Sequence, residues 1–217
     1  MTRQDDKIWI TKELKYNGMC KKIQREIDKY SIIFVIAIFE KTLGELKKVF
    51  DGNGLPYTLY KTSWDTLNFD LGTIEKEELK TIMLLSDLLS ILRVPDTALS
   101  NEVREKTTHI IVAEHYPIPK KDQEILSFAE RLPYFTTVSF HASLDEPMIK
   151  IFCGKDFATT LKNFGLDETN PVSGPMVTSA INSAQKKIMH TAIADEKVNS
   201  MEEWLYYNCP KTRNKIT

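Results

Sequence analysis

The 217-residue chain is 42% apolar, enough to bury a sizeable core in one or two domains, and its 27% of charged residues argues against wholesale disorder. Its 29 basic and 30 acidic side chains leave a formal net charge of -1, so composition supplies no global pull toward nucleic acid or acidic lipid. Three widely spaced cysteines, Cys20, Cys153 and Cys209, with no C-x-x-C pair, argue against a disulfide framework or a thiolate zinc site and for reduced thiols.

The opening MTRQDDKIWITKELK lacks the apolar stretch of a signal peptide, and the longest apolar run, Ile32 to Phe39, is too short to span a bilayer. The expectation is a cytoplasmic chain with no membrane insertion. Residues 12 to 29 have helical spacing, with Leu14, Met19, Ile23 and Ile27 on one face and Lys and Glu opposite. IIFVIAIF then reads as a strand buried on both faces, as in a parallel sheet. KTLGELKKVFDGNG predicts a helix with Leu43, Leu46, Val49 and Phe50 inward and a stop at Gly52 to Gly54. LPYTLYK reads as a second strand, so the order is that of a parallel βαβ unit.

Residues 75 to 80 read as a charged helical turn, TIMLLSDLL as a strand and turn, and residues 95 to 107 as a polar loop. HIIVAEH is a buried strand candidate. PIPKKDQEILSFAERL predicts a helix with Ile125, Phe128, Ala129 and Leu132 inward, and TTVSFHASL a further strand. From Glu146 onward the pattern is mainly helical, punctuated by Pro147, Pro171 and Pro175. In SLDEPMIKIF, Ser143 reads as an N-cap, with Asp145 and Glu146 in the first turn and Leu144, Met148, Ile151 and Phe152 on one side. That helix is expected to close the end of the sheet.

No G-x-x-x-x-G-K-[ST] or G-x-G-x-x-G loop occurs; Gly154-Lys155 lacks the flanking residues. H-E-x-x-H and G-x-S-x-G are also absent. His115 and His141 fall near strand ends, and with Glu114 and Asp145 could form a metal or acid–base cluster. Their spacing matches no ligand pattern, so hydrogen bonding between strand and loop is the favoured reading. Trp9, Tyr57, Tyr60, Trp64 and Phe69, interleaved with Lys12, Lys15 and Lys61, could stack bases, but packing is favoured. The terminal MEEWLYYNCPKTRNKIT could dock on a partner or pack back on the domain.

Four segments resemble the second nucleotide-binding domain of the SecA preprotein-translocation motors and the helical wing after it. The segment from Asp5 to Lys61 resembles that domain's first strands and helices. HIIVAEH resembles the family's "LHVIGTERH", SFHASLDEPMIKIFCGKDF its "RFYLSLEDDLMRIFGSDRV", and NFGLDETNPVSGPMVTSAINSAQKKI its "LGMEEGEPIEHPMVTKAIENAQRKV". The resemblance covers most of residues 3 to 188. It implies a three-layer RecA-like α/β domain with a mainly parallel sheet over residues 1–145, then a helical appendage and tail over 146–217.

The departures bear on activity. Where the family carries "QLRGRAGRQGDPGSS", with arginines that touch ATP phosphate, this chain has EILSFAERLPYFTTV; only Arg131 falls on an arginine position. The family's "TNMAGRGTDI" becomes SDLLSILRVP. Arginine fingers work by fixed bidentate contact with developing phosphate charge, so their loss points away from catalysis. The expectation is a degenerate SecA-like lobe, non-catalytic and without cofactor or metal, that binds a protein partner, with nucleotide binding doubtful and no strong nucleic-acid binding. The alternatives are the second lobe of a split ATPase, with Arg131 as its nucleotide contact, and a nucleic-acid-binding helicase remnant.

Overall fold

In the computed structural model, which describes residues 1–63, 80–92, 106–154 and 156–216, two short strands open the chain: β1 (Thr2–Arg3) and β2 (Lys7–Trp9). Helix α1 (Lys12–Glu26) follows, its first turn capped by the Thr11 hydroxyl accepting from the Leu14 N–H. Strand β3 (Ile32–Ala37) is buried along its whole length, as its continuous apolar run requires. Then come α2 (Glu40–Gly52), β4 (Thr58–Tyr60) and β5 (Thr81–Leu85), which ends in a 3-10 turn over Ser86–Ser90.

The second half contains β6 (Thr107–Val112), α3 (Pro119–Arg131), β7 (Phe135–Ser143), α4 (Pro147–Phe152), α5 (Phe157–Asn163), β8 (Val172–Ser173), α6 (Pro175–Thr191) and α7 (Met201–Asn208). The sheet runs β4-β5-β3-β6-β7-β2-β8, with β1 also on β7. Every pairing is parallel except β2 with β8. This is a three-layer α/β fold of RecA-like type.

Alternation along β3 divides the core in two. Ile33, Val35 and Ala37 face α1 and α2 with Met19, Ile23, Leu46 and Phe50. Ile32, Phe34 and Ile36 join the opposite cluster with Phe128 of α3, Met148 of α4, Ile181 of α6 and Trp204 of α7. The region after residue 145 contributes β8 to the sheet and these helices to the same core.

The βαβ reading of residues 32–61 gains a detail: β5 lies between β3 and β4, so the strands joined by α2 are not neighbours. The expectations for 75–79 and 95–105, and those for Trp64 and Phe69, lie outside the described residues.

Three local readings are corrected. Lys15, assigned by spacing to the polar face of α1, is fully buried beside Tyr16 and Met19. Ser143 is the last residue of β7 and not a helix cap; α4 starts after Glu146, which makes no side-chain capping bond. On α4 the buried face is Pro147, Met148, Ile149 and Phe152, with Ile151 only partly buried. Among the described residues no helix is long and apolar enough to cross a membrane, and Cys20, Cys153 and Cys209 are free.

Candidate functional site at the switch point of the sheet

In a parallel sheet the ligand crevice opens at the carboxyl ends of the strands, where successive crossovers leave in opposite directions. Here that point lies between β3 and β6. The chain leaves β3 through α2 on one face, and leaves β6 through α3 on the other. The residues that follow the two strands are Ile38, Phe39, Ala113 and Glu114.

Glu114 closes this position. Its carboxylate accepts from the Ile38 N–H at 3.1 Å, the Phe39 N–H at 3.0 Å and the Thr42 hydroxyl at 2.7 Å. Backbone donors leading into a helix favour an anion, and the chain supplies its own. Burial pushes the Glu114 carboxyl up to about 7, against the pull of Lys15 and of these donors.

Beside it, Lys15 donates to the Ala113 carbonyl at 2.5 Å and pairs closely with Glu146. The Ser143 hydroxyl donates to the same Glu146 oxygen at 3.2 Å, and Glu146 Oε2 finds no partner. The sheet end is therefore bolted to α1 by a buried charge pair.

His115 belongs to another network. Its Nδ1 lies 2.7 Å from Asp122 and its Nε2 3.7 Å from Asp6, and its ring stacks on Phe140. Asp122 also accepts from the Tyr116 N–H and from Gln185 of α6. Burial alone would lower the His115 pKa, but Asp122, Asp6 and Glu146 together raise it. His141 accepts from the Trp9 indole at 3.2 Å through Nδ1 and meets Ser139 through Nε2. Asp145 accepts from the Lys12 N–H at the start of α1.

Thus Glu114, His115, His141 and Asp145 each serve a different hydrogen-bonding set. Among the described residues no group of three His, Cys, Asp or Glu side chains converges on a metal position.

Arg131 is exposed at the last turn of α3. It donates to the Leu89 carbonyl at 3.4 Å and lies over the Phe128 ring. It lines a cleft of about 710 Å³ between α3 and the 3-10 turn, shared with Asp87, Lys121 and Ser127. A smaller cavity at the crevice itself is lined by Phe39, Asp87, Tyr116 and Lys121, without Arg131. From Lys121 to Arg131 is about 15 Å along the helix axis at 1.5 Å per residue. Asp87, Lys120 and Lys121 line both cavities, and Asp87 is bonded to Lys121 at 2.8 Å and to Lys197 at 2.5 Å. Burial would raise its carboxyl, but these two lysines hold it low.

Of the aromatic residues, Trp9 and Tyr60 are buried and Tyr57 partly so. The terminal segment packs back through the fully buried Trp204, whose indole donates to the Tyr116 hydroxyl and to Asp195; of its aromatic residues Tyr206 and Tyr207 remain exposed.

The class defined by this geometry is a mainly parallel RecA-like α/β domain. Its relatives narrow that class. No family profile matches the chain. It is 20% identical over 212 residues to protein translocase subunit SecA of Salinibacter ruber, a match covering 94% of this chain and 18% of that protein. SecA of Prochlorococcus marinus strain MIT 9312 is 33% identical over 116 residues, 50% of this chain and 12% of the protein. SecA of Halothermothrix orenii is 20% identical over 191 residues, 87% of this chain and 22% of the protein. The chain is thus related in sequence to a part of SecA, spanning about a fifth or less of each relative. Among solved structures, the C-terminal part of the Fun30 ATPase domain superposes with a TM-score of 0.44 at 10% identity, over 81% of this chain and 54% of that one.

Proposed function

We propose that the chain is a degenerate SecA-like motor lobe that acts as a non-catalytic protein-interaction module in protein translocation. The observation that carries this reading is the setting of Arg131. The one arginine on a family phosphate-contact position donates to its own lobe's Leu89 carbonyl, in a cleft that also holds the Asp87 carboxylate. The carboxylates Asp87 and Glu124 share that cleft with Lys120 and Lys121, so Arg131 stands in a charge-mixed cleft and not among a set of phosphate-binding arginines. The segment 124–138, which replaces the family's glycine- and arginine-rich stretch, supports the same reading. Its first part is the packing helix α3, with Ile125, Phe128 and Ala129 buried. Glu114 falls on the glutamate of the family's "LHVIGTERH", so the closed switch point is compatible with relationship to the family. Exposed Met189, Ile193, Tyr206 and Tyr207 around the α6–α7 connection supply an apolar surface for a protein partner.

The second reading, one lobe of a split ATPase, draws on the exposure of Arg131 at the rim of its cleft. Affinity purification of the tagged chain with mass spectrometry separates the two. Recovery of SecA or a translocation-channel subunit, undiminished in Arg131→Ala, supports the interaction module. Recovery of a Walker-loop ATPase whose hydrolysis rises with this chain and falls with Arg131→Ala replaces it by the split ATPase.

A further inference from the structure

A second concavity lies toward the amino ends of the strands, away from the switch point. Between β2, the second half of α1 and the 169–171 loop is a basin of about 380 Å³. Trp9 forms part of its lining, held by the bond from its indole N–H to His141. The ring fills the space beside Gly18 of α1: a Cβ there would stand 2.0 Å from the Trp9 Cη2. The indole is therefore a fixed part of the wall, beside which the basic side chains of α1 stand.

The lining is strongly one-sided in charge. Lys7, Lys21, Lys22, Arg25 and Lys29 contribute to it, and its one carboxylate among the described residues is Glu26. Glu26 is already spread between Lys22 at 4.0 Å and Lys29 at 3.9 Å. Lys7 donates to the neutral amide oxygen of Gln4 at 3.1 Å, and the largest charge effect on it is that of a second cation, Lys22, which outweighs the opposing pull of Glu26. Burial and then this Lys22 charge pull the Lys7 amine down to about 8. The same two lysines add to the effect of burial in depressing His109 and His141 behind the wall. Like charges held together in a part-buried site are unfavourable unless an anion completes the set.

We propose that this basin binds a phosphate-bearing ligand, with its multivalent oxyanion between Lys7 and Lys22 and Arg25 at the mouth. A single carboxylate neutralises too little of the cluster. A phosphate offers several oxygens and more than one charge, which several ammonium groups and a guanidinium meet together. The site is independent of the switch-point crevice and of Arg131.

The test is calorimetric titration of the full chain with pyrophosphate at constant ionic strength. Saturable binding is expected, weakened about tenfold or more in the pair Lys7→Met with Lys22→Met and in the exposed pair Lys21→Glu with Arg25→Glu. No saturable heat up to about 10 mM, or unchanged affinity in either pair, overturns the proposal. Melting in phosphate-free buffer guards against a folding artefact. The methionine pair should melt at or above the wild type, since it removes unbalanced charge; a lower Tm shows that the lysines stabilise the unliganded fold and also overturns the proposal. Cosedimentation with phosphatidylcholine vesicles containing phosphatidic acid identifies the source. Retention that pyrophosphate competes away assigns a lipid headgroup, and pyrophosphate binding without retention assigns a free phosphate compound.

Discussion

Lys15 and Glu146 form an ion pair removed from solvent, joining the first helix to the start of α4 across 131 positions of sequence. Lys15 also donates to the Ala113 carbonyl, and Ser143 donates to Glu146, so the ends of β6 and β7 converge on one pair of charges. Removing one partner leaves a buried charge unmatched. Lys15→Met should therefore cost about 3–5 kcal/mol, and Lys15→Met with Glu146→Leu should recover most of the loss. Denaturant melts of the two single variants and the double variant give the cycle; additive costs would show that the charges do not depend on each other.

His109 and His141 are buried beside Ser139, and burial, reinforced by nearby lysines, holds His109 down to about 3 and His141 well below its ordinary value. The unfolded chain takes up protons near 6.5 that the folded chain refuses. Their contribution is thus present above pH 6.5 and lost as pH falls toward the folded values. Stability should decline below about pH 6.5 at up to roughly 1.4 kcal/mol per pH unit for each histidine. Denaturation midpoints measured from pH 7.5 to 5 check this, and a flat profile contradicts it.

Glu114 has the opposite sign. Its folded carboxyl sits at about 7, above the ordinary value of 4.5, so its contribution is complete below 4.5 and lost as pH rises through 7. Glutamine keeps an oxygen for the Ile38 and Phe39 N–H groups and cannot ionise. Relative to the wild type, Glu114→Gln should gain stability between pH 5 and 7.5. A difference that does not change with pH places the carboxyl within its ordinary range.

Gly18 leaves no room for a side chain, because the Trp9 ring occupies the place of a Cβ. Gly18→Ala should cost about 1–3 kcal/mol through forced displacement of the indole and its bond to His141. Adding Trp9→Leu should relieve the clash. Equal melting of wild type and Gly18→Ala would mean that the ring moves aside freely.

The central strands and the helices beside them were legible because one-dimensional patterns determine them. The unbroken apolar run of β3, the spacing of Leu43, Leu46 and Phe50, and the Pro119 start of α3 need no distant partner to be read. Lys15 was not legible, since a lysine on a helix reads as solvent-facing and its carboxylate lies 131 positions away. Ser143 misled for a related reason: the acidic residues after it resemble a capped first turn, but Asp145 is engaged by α1 and Glu146 by Lys15, so β7 continues through the serine. The basic basin was hidden by averaging, because a near-neutral composition says nothing of cations from β2 and α1 meeting on one wall. Arg131 entered only through the family resemblance.

The central claim, that this lobe works without nucleotide of its own, is tested most directly by calorimetric titration of the full chain with Mg-ATP. With no phosphate loop in the sequence and with Arg131 bonded to the Leu89 carbonyl of its own lobe, no saturable binding tighter than about 1 mM is predicted. A dissociation constant in the micromolar range, weakened by Arg131→Ala, would contradict it.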